Sequence, residues 1–131
     1  ALLGLGDALS PLTVAFVVMG VLLGYVIGVL PGLNRPAALA IAIPLSYYMT
    51  PLSAVAFLIG IAKASGAGGP TTAILIKVPG EPNAAVTCLD GYPLARAGKA
   101  RQALQTALYG SVIGDIIGEL TVHQLRLHRS T

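Results

Sequence analysis

The chain has 131 residues, of which 55% are hydrophobic and only 10% are charged. A soluble domain carries about 25% charged residues, so this chain has too few polar side chains to cover a soluble globule. The single cysteine and scattered basic residues, with a net charge of +3, exclude a disulfide framework and a nucleic-acid-binding surface. The composition predicts a single membrane domain in contact with the lipid bilayer.

The first predicted element is a transmembrane helix over about 11–31. Residues 8–34 carry no formal charge, and about 20 apolar residues suffice to cross a bilayer. Ser10 is suited to cap this helix, and Pro11 is suited to its first position.

Residues 36–76 predict broken helices. Pro44 and Pro51 divide an uncharged run, and a proline inside a helix removes a hydrogen bond, so we expect helices over about 36–48 and 51–64. A glycine-rich loop then leads into a half-helix that enters the membrane and returns, because residues 64–76 are too few to cross alone.

Polar residues dominate about 80–101, and the three basic residues near its end predict a cytoplasmic loop. A second span is predicted over about 102–122. Asp115 and Glu119 lie four residues apart on one face of that span. Ionisable residues in a span indicate function, but their place near the helix end favours the membrane interface.

Glycine recurs at every fourth position in two stripes, Gly20, Gly24, Gly28 and Gly32 in the first span and Gly110, Gly114 and Gly118 in the second. Such spacing lets helix backbones approach closely in lipid. It favours packing within the chain, with a homodimer contact as the alternative.

A candidate anion site follows from the segment Gly-Gly-Pro-Thr-Thr at 68–72. Proline as the first residue of a half-helix, preceded by glycines, would expose free backbone N–H groups that bind carboxylate or phosphate. The turn near Pro31 predicts a second break. The candidate substrate-binding residues are Gly32, Asn34, Gly68, Gly69, Thr71 and Thr72. A tight connector between packed helices is an equally compatible interpretation.

No arrangement in the sequence supports catalysis. Gly98 and Lys99 lack the spacing of a phosphate-binding loop, His123 and His128 do not share a helix face, and Cys88 has no basic neighbour. We therefore expect no enzyme activity and no organic cofactor, and the sequence leaves a metal site undetermined.

Short motifs follow one another in a recognisable order, namely Leu-Pro-Gly-Leu at 30–33, Gly-Gly at 68–69, Pro-Gly-Glu at 79–81 and Thr-Cys-Leu-Asp-Gly-Tyr-Pro at 87–93. Over about 16–120 this pattern resembles the large membrane subunit of tripartite tricarboxylate transporters, the TctA family. The resemblance implies a multi-pass permease of the bacterial inner membrane that takes up citrate-like or other carboxylates. It also implies a small membrane subunit and a periplasmic solute-binding protein as partners, and symport with an ion, usually sodium.

The expected fold class is all-α, with transmembrane helices and broken or re-entrant half-helices. By resemblance, it is part of a larger inverted-repeat transporter fold. Ala67 and Pro70 stand where the family has tyrosine and serine, and residues after 120 are polar where the family continues apolar. These departures predict a fragment of a permease. The alternative is a small membrane interaction protein that packs through its glycine stripes and transports nothing.

Overall fold

In the computed structural model, which describes residues 2–130, these residues are almost entirely helical and contain no β-strand. The helices are α1 (Leu2–Ala8), α2 (Pro11–Val29), α3 (Arg35–Ser46), α4 (Pro51–Ile76), α5 (Ala85–Leu94) and α6 (Ala100–Arg129). A 3-10 turn precedes α5, and a kinked segment over Ala95–Lys99, in which Gly98 has a positive φ, joins α5 to α6. The predicted all-α class is confirmed.

Helices α2 and α3 begin where the sequence provides a cap. The Ser10 side chain accepts a hydrogen bond from the backbone N–H of Thr13 at 3.4 Å, and Pro11 opens α2. The Asn34 side chain accepts one from the backbone N–H of Ala37 at 3.1 Å. Each cap satisfies a donor that the first helical turn would otherwise leave unpaired.

The glycine stripe of α2 packs directly on α4. Three of its glycines contact residues of α4 whose numbers increase along both helices, in the pairs Gly20–Phe57, Gly24–Ile61 and Gly28–Ser65. Because the pair members rise together, α2 and α4 run parallel and α3 returns the chain between their ends. Ala38 and Ala42 of α3 complete the core around Phe57 and Ile61. The packing within the chain that the sequence favours is confirmed for these glycines.

The predicted break at 65–72 is wrong, because α4 continues through this segment without interruption. Pro70 lies inside the helix and has no N–H, so the bond that would reach the Gly66 carbonyl is missing. Gly68 and Gly69 are buried against neighbouring segments. Such packing makes glycine and proline tolerable within a membrane helix. The predicted half-helix with a free start at Pro70 therefore does not form.

The predicted polar loop at 80–101 is also mostly helical. Helix α5 buries Cys88 and Gly91, and Gly91 lies beside Ile74 of α4. Of the charged residues in this region only Asp90 lies in α5, whereas Glu81 precedes that helix and Arg96, Lys99 and Arg101 follow it. Composition counts these residues without their positions, which is why it indicated a loop.

Two helices of the described region, α2 and α4, are long and apolar enough to cross a membrane. Helix α6 covers the predicted span at 102–122 but is not one of these two, so a crossing there stays a prediction. Helix α3 has 12 residues, and at a rise of about 1.5 Å per residue it is too short to cross alone.

Candidate functional site

Three of the six predicted binding residues meet at a junction where α2 ends against α4. A Cβ atom at Gly68 would lie 2.5 Å from the carbonyl carbon of Gly28. One at Gly69 would lie 3.4 Å from the backbone nitrogen of Glu81, and the buried Thr72 hydroxyl donates to the Gly69 carbonyl at 3.0 Å. The close contacts and the internal hydrogen bond give these three residues a packing role.

The other three predicted residues are spread over the surrounding surface. Gly32 lies in an exposed turn with a φ of 93°, and Asn34 uses its side-chain oxygen to cap α3. The Thr71 hydroxyl lies 3.2 Å from the hydroxyl of Tyr25. The predicted residues therefore do not form one set of free donors.

Two basic side chains that the sequence analysis did not select line one cleft beside α4. Arg35 and Lys63 are the only formally charged residues between Asp7 and Lys77. Their isolation in an apolar stretch is the sequence signal that could have identified them. The cleft has a volume of about 420 Å³, within the range of small-molecule sites, and Gly66, Ala67, Ser111 and Asp115 also line it.

Arg35 is held at the start of α3 by its backbone and by its side chain. The Glu81 carboxylate accepts a hydrogen bond from the Arg35 backbone N–H at 3.1 Å and pairs with its Nη2 atom at 3.6 Å. A carboxylate is stabilised there by the positive end of the helix dipole. The guanidinium lies against Gly66 of α4, where a Cβ atom would collide with it. Glycine at 66 thus leaves room for the guanidinium.

Lys63 occupies the middle of α4 and faces α6. Its Nζ atom lies 3.4 Å from Asp115 Oδ1 and 3.2 Å from Glu119 Oε1. Charges interact more strongly where water is excluded, so such pairs carry more weight in a membrane than on a soluble surface. The interfacial place that the sequence predicts for these carboxylates stays a prediction.

Apolar helices of spanning length, close glycine packing and a charged cleft are the features of an integral membrane protein of the all-α type. More specifically, the chain belongs to the tripartite tricarboxylate transporter TctA family, whose sequence profile matches residues 14–126. The predicted family is confirmed, and it is a family of transporters.

The chain is also 43% identical over 118 residues to an Agrobacterium vitis protein described as an uncharacterized 52.8 kDa protein in the TAR-I ttuC' 3' region. The alignment covers 90% of this chain and 24% of that protein, so the chain spans about a quarter of its relative's length. No solved structure matches the chain.

Proposed function

We propose that the chain is part of a permease that takes up tricarboxylates or related carboxylates, and that Arg35 and Lys63 bind the substrate's carboxylate groups. The observation that carries this proposal is that these two cations, isolated in an apolar stretch, line the same cleft. Guanidinium and ammonium groups form charge-assisted hydrogen bonds with carboxylates, and such bonds are about twice as strong as neutral ones.

The wider assembly is part of the proposal. Membership of a tripartite transporter family supports a small membrane subunit and a periplasmic solute-binding protein as partners. Uptake would be symport driven by an ion gradient, with sodium as the ion, in the bacterial inner membrane. Because the chain spans about a quarter of its relative, further helices would complete the substrate site and an inverted-repeat fold.

Two of the six residues selected from the sequence, Gly69 and Asn34, take an indirect role in this proposal. Gly69 packs beside Glu81, and Glu81 holds Arg35. A bulky side chain at Gly69 would push the Glu81 segment away and would misplace the guanidinium. Asn34 acts through the cap that fixes the start of α3. Direct contact of Gly32 or Thr71 with substrate stays a proposal.

The test is citrate uptake by a complete permease of this family that contains these residues, reconstituted in vesicles with its partner subunits. A hydrogen bond to a charged group contributes about 1.5–3 kcal/mol, so Arg35→Gln or Lys63→Gln should each lower uptake about tenfold to a hundredfold. Lys99→Gln removes the same charge outside the cleft and should leave uptake unchanged. Wild-type uptake by both cleft variants would refute the assignment.

The open glycine stripe of α6 supports a second candidate function, that of a membrane interaction protein without transport. No atom of residues 2–130 lies within 4 Å of where a Cβ atom would stand at Gly110, Gly114 or Gly118. Cysteine placed at 114 should then crosslink two copies of the chain, whereas cysteine at 24 faces α4 and should not. Citrate uptake that depends on Arg35 would favour the first candidate over this one.

A further inference from the structure

Each cation of the cleft already has a carboxylate partner within the chain. Glu81 pairs with Arg35, and Asp115 and Glu119 pair with Lys63. A substrate carboxylate would therefore have to exchange with a resident one. The two sets of pairs differ in how readily such an exchange could occur.

The Arg35 pair is the more firmly built of the two. The Glu81 side chain is only 10% exposed and also accepts the backbone N–H of Arg35. The partners of Lys63 are 61% and 74% exposed, and each meets the ammonium through one oxygen atom. A carboxylate held through one oxygen atom has fewer bonds to lose than Glu81, which uses both of its oxygens, so exchange is expected at Lys63 rather than at Arg35.

Lys63 also stands where two cavities meet. Lys63 and Asp115 line both the cleft that contains Arg35 and a neighbouring cavity of about 440 Å³, which Glu119 also lines. The ammonium can therefore be reached from the cleft, where a substrate would lie, and from the side that holds the α6 carboxylates.

Within this chain, which spans about a quarter of its relative, helix α6 makes few packing contacts at this level. Of its residues only Ala103 is buried, and the kink before it is at Gly98, which has a φ of 82°. The carboxylates thus stand on a helix that little else holds against α4. Their displacement from Lys63 would disturb few other contacts.

We propose that Asp115 and Glu119 are internal counter-ions that compete with substrate for Lys63 and so determine the affinity of the cleft for carboxylates. This inference rests on the proposed function of the cleft. The state that is ready to bind substrate is the one in which the α6 carboxylates have left the ammonium. Because only a fraction of the molecules is in that state, the apparent affinity for substrate is lower than the intrinsic affinity. Removal of a competing carboxylate raises this fraction and so raises the apparent affinity.

The experiment measures citrate binding by calorimetry to a complete permease of this family that contains these residues, in lipid nanodiscs. Asp115→Asn should tighten binding about tenfold, and the double variant with Glu119→Gln should tighten it further, because fewer internal carboxylates then compete. Asp115→Asn keeps Glu119 as a partner for Lys63, so it also tests the inference should the double variant fail to fold. Glu119→Gln alone should have a smaller effect because Glu119 does not line the cleft.

Asp7→Asn is the matched control. It removes the same charge from α1, which lies outside the cleft, and citrate affinity should not change. A solely structural role for the α6 carboxylates predicts unchanged or weaker binding in Asp115→Asn. That outcome, with binding still weakened by Lys63→Gln, would overturn this inference and leave the proposed function standing. Citrate affinity that is unchanged in both Arg35→Gln and Lys63→Gln would overturn this inference and the proposed function together.

Discussion

Helices α2 and α6 carry the same glycine spacing and use it differently. In α2, glycines at every fourth position lie against the backbone of α4, at distances that no other residue permits. In α6, a Cβ atom added at Gly110, Gly114 or Gly118 would meet no atom of the described part of the chain within 4 Å. The spacing therefore permits close approach but does not specify whether a partner is present.

The difference between the two helices arises from what faces them. Helix α4 offers α2 small residues of its own, since a Cβ atom at Gly60 would lie only 3.1 Å from the carbonyl oxygen of Val17. Helix α6 instead meets α4 through the ion pairs of Lys63, and long charged side chains keep two helix axes apart. Along its glycine stripe α2 is held by dispersion contacts, whereas at Lys63 helix α6 meets α4 through charges.

The largest effect is expected for Gly24→Ala. The added Cβ atom would lie 2.6 Å from the carbonyl oxygen of Ile61, and backbone atoms cannot turn aside as a flexible side chain can. Overpacking of this kind should lower the free energy of unfolding by about 3 kcal/mol. The loss of helical circular dichroism during titration of mixed micelles with SDS measures it. A variant as stable as the wild type would show that α2 and α4 are far enough apart at Gly24 to accommodate a methyl group.

A smaller effect is expected at the beginning of the same helix pair. The Thr13 and Ser53 hydroxyls lie 3.3 Å apart in a buried contact between α2 and α4. Thr13→Val keeps the shape but removes this contact together with the hydroxyl's bonds to Ser10 and to the Asp7 carbonyl, so the free energy of unfolding should fall by at least about 1 kcal/mol. A double-mutant cycle with Ser53→Ala should give a coupling near 0.6 kcal/mol, the average for such bonds in membrane proteins. Zero coupling would mean that the two hydroxyls act independently.

The smallest effect, with the opposite sign, is expected for Gly114→Ala on α6. This is the same chemical change as Gly24→Ala at a position where the new methyl group meets no atom. Reduced backbone freedom of the unfolded chain should raise the free energy of unfolding by about 0.5 kcal/mol in the same SDS titration. A destabilisation like that at Gly24 would indicate that the two stripes are equally covered, and the comparison between them would fail.

Much of the fold could be predicted from local signals. Ser10 and Asn34 mark helix starts because their side chains satisfy exposed backbone donors over a few residues. The membrane class follows from composition, because the fraction of apolar residues does not depend on which residues contact one another. The family could be identified from ordered motifs for the same reason, and its profile matches residues 14–126.

The candidate site could be predicted only in part. The glycines at 68 and 69 do lie at a close approach of backbones, but the approach is to Gly28 and the Glu81 segment rather than to a ligand. Arg35 and Lys63 are far apart in the sequence, and nothing local shows that they share a cleft. Likewise, the partners of Lys63 lie on a helix more than fifty residues later in the chain.

The sequence by itself determined the all-α membrane character, the starts of α2 and α3 and the family, because apolar content, caps and motifs act over short distances. Only the tertiary structure decided that α4 passes through Pro70 unbroken, since burial of Gly68 and Gly69 stabilises a backbone that would otherwise end there. It also decided which glycine stripe packs on another helix of the chain and which two cations line the same cleft. Those outcomes depend on contacts between residues that are distant in the sequence. Helix periodicity shows which residues share a face of a helix, but it does not show which element that face contacts.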